Sequence, residues 1–327
     1  MPPSTPAASE PTLADLGEFG VIDRLVALFP QDEQVLVGPG DDAAVLRVKV
    51  GHVVVSTDLM VEGRHFRRDW AGAADVGHRA AAQNLSDINA MGGRATALTL
   101  GLAAPPHLPV SWAVEMAAGF AEECAQVGAV VVGGDLTRAD QVVIAVTVLG
   151  ACTQAPLLRS GAEPGDVVAL AGRQGWAAGG LAVLGRGFRS PRALVEAYRR
   201  PQPPYAAGRE GAEAGATAMI DVSDGLLSEA GHLAHASGVH LDLRAEAFDL
   251  PEPLQAVAAA TGVDALQLVL GGGDDHALLA TFPSTAALPM GWIVVGEVHE
   301  AGWSGAEGPA VTVDGAVHEG ATGWTHF

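Results

Sequence analysis

Six short segments place aspartates where their carboxylates could act together: 38–42, 56–58, 84–87, 133–135, 221–225 and 272–275. In each segment an aspartate stands beside glycine or at the end of a predicted helix or strand, so that its carboxylate can face a cleft. One Gly-Asp pair is most simply a turn, but a series of them favours a shared site. Short carboxylates on loops suit Mg²⁺, which prefers oxygen ligands and usually keeps substrate phosphates in its shell. The pattern therefore predicts metal-assisted chemistry on a polyphosphate.

Lysine is almost absent from the chain, since Lys49 is the only lysine among 18 basic residues. A Walker A loop requires Gly-Lys-Ser/Thr, whereas Lys49 is followed by Val50 and lies in a strand-like run. The same context argues against a Schiff-base lysine. A nucleotide would have to be held by metal ions, arginines or backbone amides.

The overall charge restricts the partners of this protein. The chain has 327 residues with 38 acidic and 18 basic side chains, a formal net charge of −20. Such a surface repels nucleic acids and anionic membranes, so we expect neither as a partner. The longest strongly apolar stretch, 142–152, is too short to span a membrane. No charged-then-apolar leader opens the chain, which predicts a cytoplasmic protein.

The length and the apolar content favour two compact domains. Hydrophobic residues make up 49% of the chain, enough for a sizeable core. Cys124 and Cys152 cannot form a disulfide framework or a CxxC metal site, and we interpret both as small buried side chains. We predict a flexible tail over 1–14, an N-terminal domain over 15–152 and a C-terminal domain over 153–327.

Hydrophobic periodicity predicts a mixture of helices and strands in both halves. The N-terminal half has the order of an α+β domain with a mixed or antiparallel sheet. Its predicted helices are 16–29, 73–91 and 110–127, and its strands are 43–48, 52–57, 95–103, 129–132 and 141–150. The predicted C-terminal helices are 176–185, 192–198, 205–214, 226–236 and 253–260, and the strands are 167–171, 216–222, 239–243, 277–282 and 292–297.

Taken in order, the aspartate segments and their surroundings identify a family resemblance. The sequence resembles the thiamine-monophosphate kinase family, within the superfamily of aminoimidazole ribonucleotide synthetase-like proteins. The matching segments are GPGDDAAVL (38–46), STDLMVEGRHF (56–66), NLSDINAMGG (84–93), GGDLTR (133–138), LLRSGAEPGD (157–166), IDVSDGLLSEAGHLA (220–234), LGGGDDHALLATF (270–282) and GWTHF (323–327).

The resemblance implies an α/β (α+β) protein with the two-domain aminoimidazole ribonucleotide synthetase-like fold. Its N-terminal domain would carry a mixed sheet with helices, bind ATP and Mg²⁺ and form a homodimer. Its C-terminal α/β domain would close over the substrate. The implied reaction is direct in-line transfer of the ATP γ-phosphoryl group to thiamine monophosphate with several Mg²⁺ ions and no covalent intermediate. Such a transfer needs alignment and charge neutralisation more than a protein nucleophile.

Site residues follow from the resemblance position by position. The implied metal-binding residues are Asp41, Asp42, Ser56, Thr57, Asp58, Asp87, Asp135, Asp221 and Asp224; Asp41 would act through water, and Ser56 and Thr57 are alternatives. The residues implied to contact ATP are Gly134, Asp135, Arg159 and Ser223, and those implied to contact the substrate are His65, Asp274 and Trp324.

Simpler roles exist for three of these residues. Arg159 could form a surface ion pair, although its planar charged fork suits polyphosphate oxygens. His65 could be a packed histidine near a strand end. Trp324 could anchor the terminus, although its ring could also attract the thiazolium cation.

The family motif Gly-Gly-Glu-Asp-Tyr-Glu-Leu differs in this chain. It is present as Gly-Gly-Asp-Asp-His-Ala-Leu over 272–278, so that Asp274 replaces a longer glutamate and His276 and Ala277 also depart from the common form. Thr325 stands where aspartate is usual. Two alternatives therefore stay open: an ATP-dependent enzyme of the same superfamily with another acceptor, and a non-catalytic protein that binds Mg²⁺ and nucleotide.

Overall fold

The structure, a computed structural model, describes residues 11–33, 35–37, 45–46, 51–305 and 307–324. The helices are α1 (Leu13–Val26), α2 (Ala73–Ala90), α3 (Val110–Val127), α4 (Trp176–Gly185), α5 (Arg192–Arg199), α6 (Ala207–Glu213), α7 (Leu226–Ser237), α8 (Glu252–Thr261) and α9 (Ala265–Leu270). The strands are β1 (Val35–Val37), β2 (Val45–Leu46), β3 (His52–Val61), β4 (Arg94–Ala104), β5 (Val130–Arg138), β6 (Val143–Cys152), β7 (Asp166–Ala171), β8 (Ala218–Asp221), β9 (Val239–Leu243), β10 (Leu278–Pro283), β11 (Trp292–Glu300) and β12 (Ala310–Val313).

The chain divides into two compact units, each of which is made of three separate segments of the sequence. The first unit is drawn from Met1–Val48, Thr57–Ala81 and Ala97–Thr147, and the second from Lys49–Ser56, Ala82–Thr96 and Val148–Phe327. A division between residues 152 and 153 stays a prediction.

A four-stranded sheet has the strand order β3-β6-β4-β5. Strands β4 and β5 run parallel, with Ala97 opposite Val130 and Ala104 opposite Arg138. The mixture of helix and sheet confirms the predicted fold class.

Helices α2 and α3 approach closely because each places a glycine against the other. A Cβ added at Gly77 would overlap the carbonyl oxygen of Met116, and one added at Gly119 would overlap that of Ala74. The small residues of α2 therefore serve helix packing.

Helix α1 begins three residues before its predicted start and lies partly inside the predicted tail. Thr12 is its N-cap: the Thr12 hydroxyl accepts a hydrogen bond from the Asp15 backbone, and the Asp15 carboxylate accepts one from Thr12 N. This capping box satisfies two backbone N–H groups that the first turn would otherwise leave unpaired. Residues 1–10 of the predicted tail over 1–14 lie outside the described residues.

The second unit contains a six-stranded sheet with the order β12-β9-β11-β7-β10-β8. Its pairs are antiparallel except for β12 and β9, which run parallel. Phe282, Trp292 and Met219 pack among small side chains in its buried core. The predicted elements do not include helix α9, which Asp264 caps by accepting a hydrogen bond from Leu266 N. They also do not include strand β12.

Of the helices in the described part of the chain, none is both long and apolar enough to cross a membrane.

Candidate active site

Two aspartate-bearing loops meet at one edge of the six-stranded sheet. Strand β8 ends at Asp221, one residue before its predicted end, and residues 222–225 lead into α7 as the predicted strand-to-helix connection. The segment 271–277 precedes β10, the neighbour of β8. Asp274 N donates to Ser223 O at 2.8 Å, His276 N donates to Val222 O at 3.2 Å, and Val222 N donates to Ala277 O at 2.8 Å. These three backbone bonds bring the 222–225 loop and the 271–277 loop together.

Gly273, in the 271–277 loop, is required where this loop approaches the 222–225 loop. A Cβ added at Gly273 would overlap the carbonyl oxygen of Ser223. Asp274 and His276 adopt left-handed φ angles of 66° and 54°, a region that aspartate and histidine enter more readily than most residues. The chain therefore turns sharply around Asp275.

Asp275 anchors the 271–277 loop to the N-terminus of α4. Its carboxylate oxygens Oδ1 and Oδ2 lie 3.0 and 3.1 Å from the donating Ala177 N. Burial raises the pKa of Asp275 to about 7, against the lowering effects of the Ala177 N–H and the Arg173 guanidinium. The family resemblance implies a ligand contact for Asp274 and none for Asp275. The signal for Asp275 was its place in the aspartate segment 272–275, shortly before the predicted strand 277–282.

Glu229 is a second buried acid that the sequence analysis missed, because acids on helices are usually solvated. Its Oε2 accepts a hydrogen bond from Gly225 N at 2.9 Å, which ties the first turn of α7 to the 222–225 loop. The pKa of Glu229 is raised to about 7, mainly by burial and also by the nearby carboxylates of Asp224 and Asp221, against the lowering effect of the Gly225 N–H.

The C-terminal segment lies along the 222–225 loop. Trp324 N donates to Asp224 O at 3.0 Å, and Ser228 N donates to Thr322 O at 3.1 Å. The Trp324 residue is 54% exposed, so its ring is not buried as a hydrophobic anchor. Trp324 is thereby positioned beside the carboxylate-bearing loop, where the resemblance implies a substrate contact.

Ser56 and Asp87 are brought together by β3 and α2. Ser56 Oγ donates to Asp87 Oδ2 at 2.6 Å. The predicted strand end at residue 57 is wrong, because β3 continues to Val61 and places 56–58 in mid-strand. Side chains alternate along a strand, so Thr57 faces away from Ser56 and Asp58. Thr57 Oγ1 instead donates to Val146 O at 2.8 Å.

Gly134 and Asp135 lie inside a strand. The predicted strand end at Val132 is wrong, because β5 continues to Arg138, with Gly134 opposite Leu100 and Asp135 opposite Gly101. A Cβ added at Gly134 would overlap the Leu100 carbonyl oxygen, so the close approach of the two strands requires this glycine. Asp135 is exposed on the strand.

The other proposed ligand contacts differ in exposure. The Nδ1 atom of His65 accepts a hydrogen bond from Val61 N at 3.0 Å, and the side chain is half-buried. Ser223 and Arg159 are exposed. The Arg159 carbonyl accepts a hydrogen bond from Ser237 Oγ at 3.1 Å. Asp41 and Asp42 lie outside the described residues.

The candidate metal-binding residues carry ligand types that suit a hard divalent cation, but the described part of the chain does not bring three of their carboxylates into one group. Ser56, Asp58, Asp87, Asp135, Asp221 and Asp224 offer hydroxyl or carboxylate oxygens, the ligands that Mg²⁺ prefers. Within the described ranges, which omit Asp41 and Asp42, no three His, Cys, Asp or Glu side chains form a group that could hold a metal ion.

Two models of known protein families match the chain, one in its N-terminal half and one in its C-terminal half. Residues 40–152 match the AIR synthase related protein, N-terminal domain, and residues 163–282 match the AIR synthase related protein, C-terminal domain.

Individual relatives cover nearly the whole chain. A thiamine-monophosphate kinase from Mycobacterium tuberculosis is 46% identical over 324 residues, covering 98% of this chain and 95% of that protein. One from Corynebacterium glutamicum is 38% identical over 97% of this chain and 95% of that protein. Among solved structures, AaThiL complexed with AMPPCP and TMP matches with a TM-score of 0.78 and 28% identity, covering 98% of this chain and 100% of that chain.

Proposed function

The chain belongs to the thiamine-monophosphate kinase family of enzymes, and from this membership we propose that it phosphorylates thiamine monophosphate to thiamine diphosphate with ATP. The full-length similarity to named members of that family carries the proposal. The meeting of the two aspartate loops beside Trp324 supports it independently, because it provides carboxylates and an exposed aromatic ring in one place. We also propose that the enzyme acts in the cytoplasm, where ATP is available to it.

The proposed step moves one phosphoryl group and forms no enzyme intermediate. A phosphate oxygen of thiamine monophosphate attacks the γ-phosphorus of ATP in line. The bond between this phosphorus and the β,γ-bridging oxygen breaks, and ADP leaves with the bond's electron pair. Catalysis of such a transfer rests on alignment and on electrostatic stabilisation.

The chain's own residues would provide both the alignment and the electrostatic stabilisation. Several Mg²⁺ ions, when bound, would neutralise the charge of the phosphate oxygens. We assign Ser56, Asp58, Asp87, Asp135, Asp221 and Asp224 to their binding, with Asp41 and Asp42 as further candidates. Thr57 is the less favoured alternative to Ser56, because its side chain faces the other side of β3 and its hydroxyl donates to Val146 O. Ser223, Gly134 and Arg159 would contact ATP, and His65, Asp274 and Trp324 would contact thiamine monophosphate.

A homodimer is part of the proposal. Strand β3 is an edge strand of its sheet, and one of its faces exposes Val53, Val55 and Leu59. An exposed edge strand with apolar side chains is suited to symmetric pairing with a second copy.

A direct assay tests the function. The purified protein is incubated with MgATP and thiamine monophosphate, and thiamine diphosphate and ADP are quantified by chromatography. We expect equal amounts of both products. ADP release only with a different phosphate or carbonyl acceptor would favour another reaction of the superfamily. Tight MgATP binding without a product from any acceptor would favour a non-catalytic protein and contradict the proposal.

A further inference from the structure

The imidazole of His276 contacts the carboxylate of Asp221 across the two aspartate loops. Its Nδ1 lies 3.2 Å from Asp221 Oδ2, and both side chains are buried. In the tautomer that carries its proton on Nδ1, this nitrogen donates to the Asp221 carboxylate. Among the described residues, the Asp221 carboxylate takes part in no other hydrogen bond.

The backbone around His276 directs the ring toward Asp221. Asp221 is opposite Leu278 in the register of β8 and β10, so His276 precedes this pair by two residues. The bonds of Val222 N to Ala277 O and of His276 N to Val222 O hold His276 against the end of β8. The neighbouring Asp275, fixed on α4, keeps the loop in its left-handed turn. The contact therefore depends on a defined backbone conformation.

We propose that His276 is a positioning residue that orients the Asp221 carboxylate for a divalent cation. This inference rests on the proposed function, in which Asp221 is a metal ligand. A carboxylate at the end of a strand can rotate about its Cβ–Cγ bond. The bond from Nδ1 to Oδ2 restricts that rotation and leaves Oδ1 to the cation. Hydrogen bonds to ligating carboxylates orient them in this way, and their loss typically lowers metal affinity about 10- to 100-fold.

The test compares three substitutions of His276. His276→Asn keeps an N–H donor close to the position of Nδ1, and asparagine tolerates the left-handed backbone. His276→Leu has nearly the shape of asparagine but no donor. His276→Gly also lacks the donor, accepts a φ of 54° without strain and keeps the test valid if the leucine variant fails to fold.

The first readout is Mn²⁺ binding to the nucleotide-free protein, followed by electron paramagnetic resonance. The second is the Mg²⁺ concentration that gives half-maximal activity. We expect the leucine and glycine variants to raise the Mn²⁺ Kd about tenfold or more, and the asparagine variant to stay within about threefold of wild type. His240→Leu is the matched control, because it removes another buried histidine from the same unit, one bonded to Thr312. It should lower Tm without changing the Mn²⁺ Kd.

The outcomes separate this inference from the proposed function. An unchanged Mn²⁺ Kd in the leucine or glycine variant, or equal losses in the asparagine and leucine variants, would mean that His276 only packs. Wild-type protein that binds no Mn²⁺ would also overturn the inference. Wild-type protein that makes no thiamine diphosphate, yet binds Mn²⁺ in a His276-dependent manner, would contradict the proposed function alone.

Discussion

The hydrogen bond between Ser56 and Asp87 joins two candidate metal ligands. Replacing Asp87 by asparagine removes the negative charge and keeps an oxygen that can accept from Ser56 Oγ. We therefore expect Asp87→Asn to fold normally but to lower kcat by roughly 100-fold or more, the usual effect of removing one electrostatic group from a charge-stabilising site. Thiamine diphosphate formation and thermal unfolding measure the two effects.

Asp140→Asn is the control for this prediction, because Asp140 is an exposed carboxylate with no assigned role. Its activity and Tm should match those of the wild type. Full activity of Asp87→Asn with an unchanged Mg²⁺ requirement would contradict a metal role for Asp87.

Buried Glu229 makes stability depend on pH in a definite direction. The unfolded chain releases this proton near the ordinary pKa of 4.5, whereas the folded protein retains it up to about 7. The protonated Glu229 therefore contributes to the free energy of unfolding fully below pH 4.5. This contribution is lost as the pH rises to about 7, because ionisation of the glutamate then lowers the free energy of the unfolded state relative to the folded state. Glu229→Gln cannot ionise and can still accept from Gly225 N. We expect the variant to gain roughly 2–3 kcal/mol relative to wild type between pH 4.5 and 8.

Urea unfolding across this range in the presence of EDTA measures the difference. The chelator keeps cations from neutralising Asp221 and Asp224, whose charges raise the Glu229 pKa. Parallel stability curves for the two proteins would show that Glu229 is already ionised in the folded state.

At the scale of elements, the contact of α2 with α3 depends on glycine. A Cβ at Gly77 would overlap the backbone carbonyl of Met116, which cannot move away as a flexible side chain can. We expect Gly77→Ala to lower the free energy of unfolding by at least about 2 kcal/mol. Gly231 lies inside α7 with open space around it, so Gly231→Ala should instead raise that free energy by about 0.5–1 kcal/mol. Chemical denaturation compares the two, and equal effects would contradict the packing argument.

Local patterns in the sequence predict most elements but not all of their ends. The predicted helices over 110–127 and 176–185 agree with α3 and α4 at both ends. Strand β5 was predicted to stop at Val132, because Gly133 and Gly134 usually interrupt a strand. The parallel partner β4 holds them in the ladder, and such a partner is not visible locally.

In the candidate site too, local sequence predicts some features, whereas others depend on the packing of distant segments. The strand-to-helix loop over 221–225 was predicted from its sequence and is confirmed. Asp275 and Glu229 could not be assigned, because their burial depends on α4 and on the 222–225 loop folding against them. Their residue types alone are those of ordinary solvated acids.

For the whole molecule, the formal net charge of −20 counts every acid as ionised. Asp275 and Glu229, with pKa values of about 7, are partly protonated at neutral pH. Further carboxylates would be neutralised by the cations that we propose. Under the proposed function, the excess of acids would supply cation ligands as well as the buried anchors Asp275 and Glu229. An acidic protein could then bind phosphorylated substrates without a lysine-containing loop.

The exposed face of β3 is the surface through which we propose that two copies of the chain pair. Val53, Val55 and Leu59 are 51%, 66% and 59% exposed on this edge strand. We expect the wild type to be a dimer and Val55→Lys to be a monomer, because a charge placed in an apolar interface is buried without a partner. Light scattering coupled to size-exclusion chromatography measures the mass. Met290, 97% exposed elsewhere, gives the control Met290→Lys, which should stay dimeric. A wild-type monomer at micromolar concentration, or a dimer unaffected by Val55→Lys, would exclude pairing through this face.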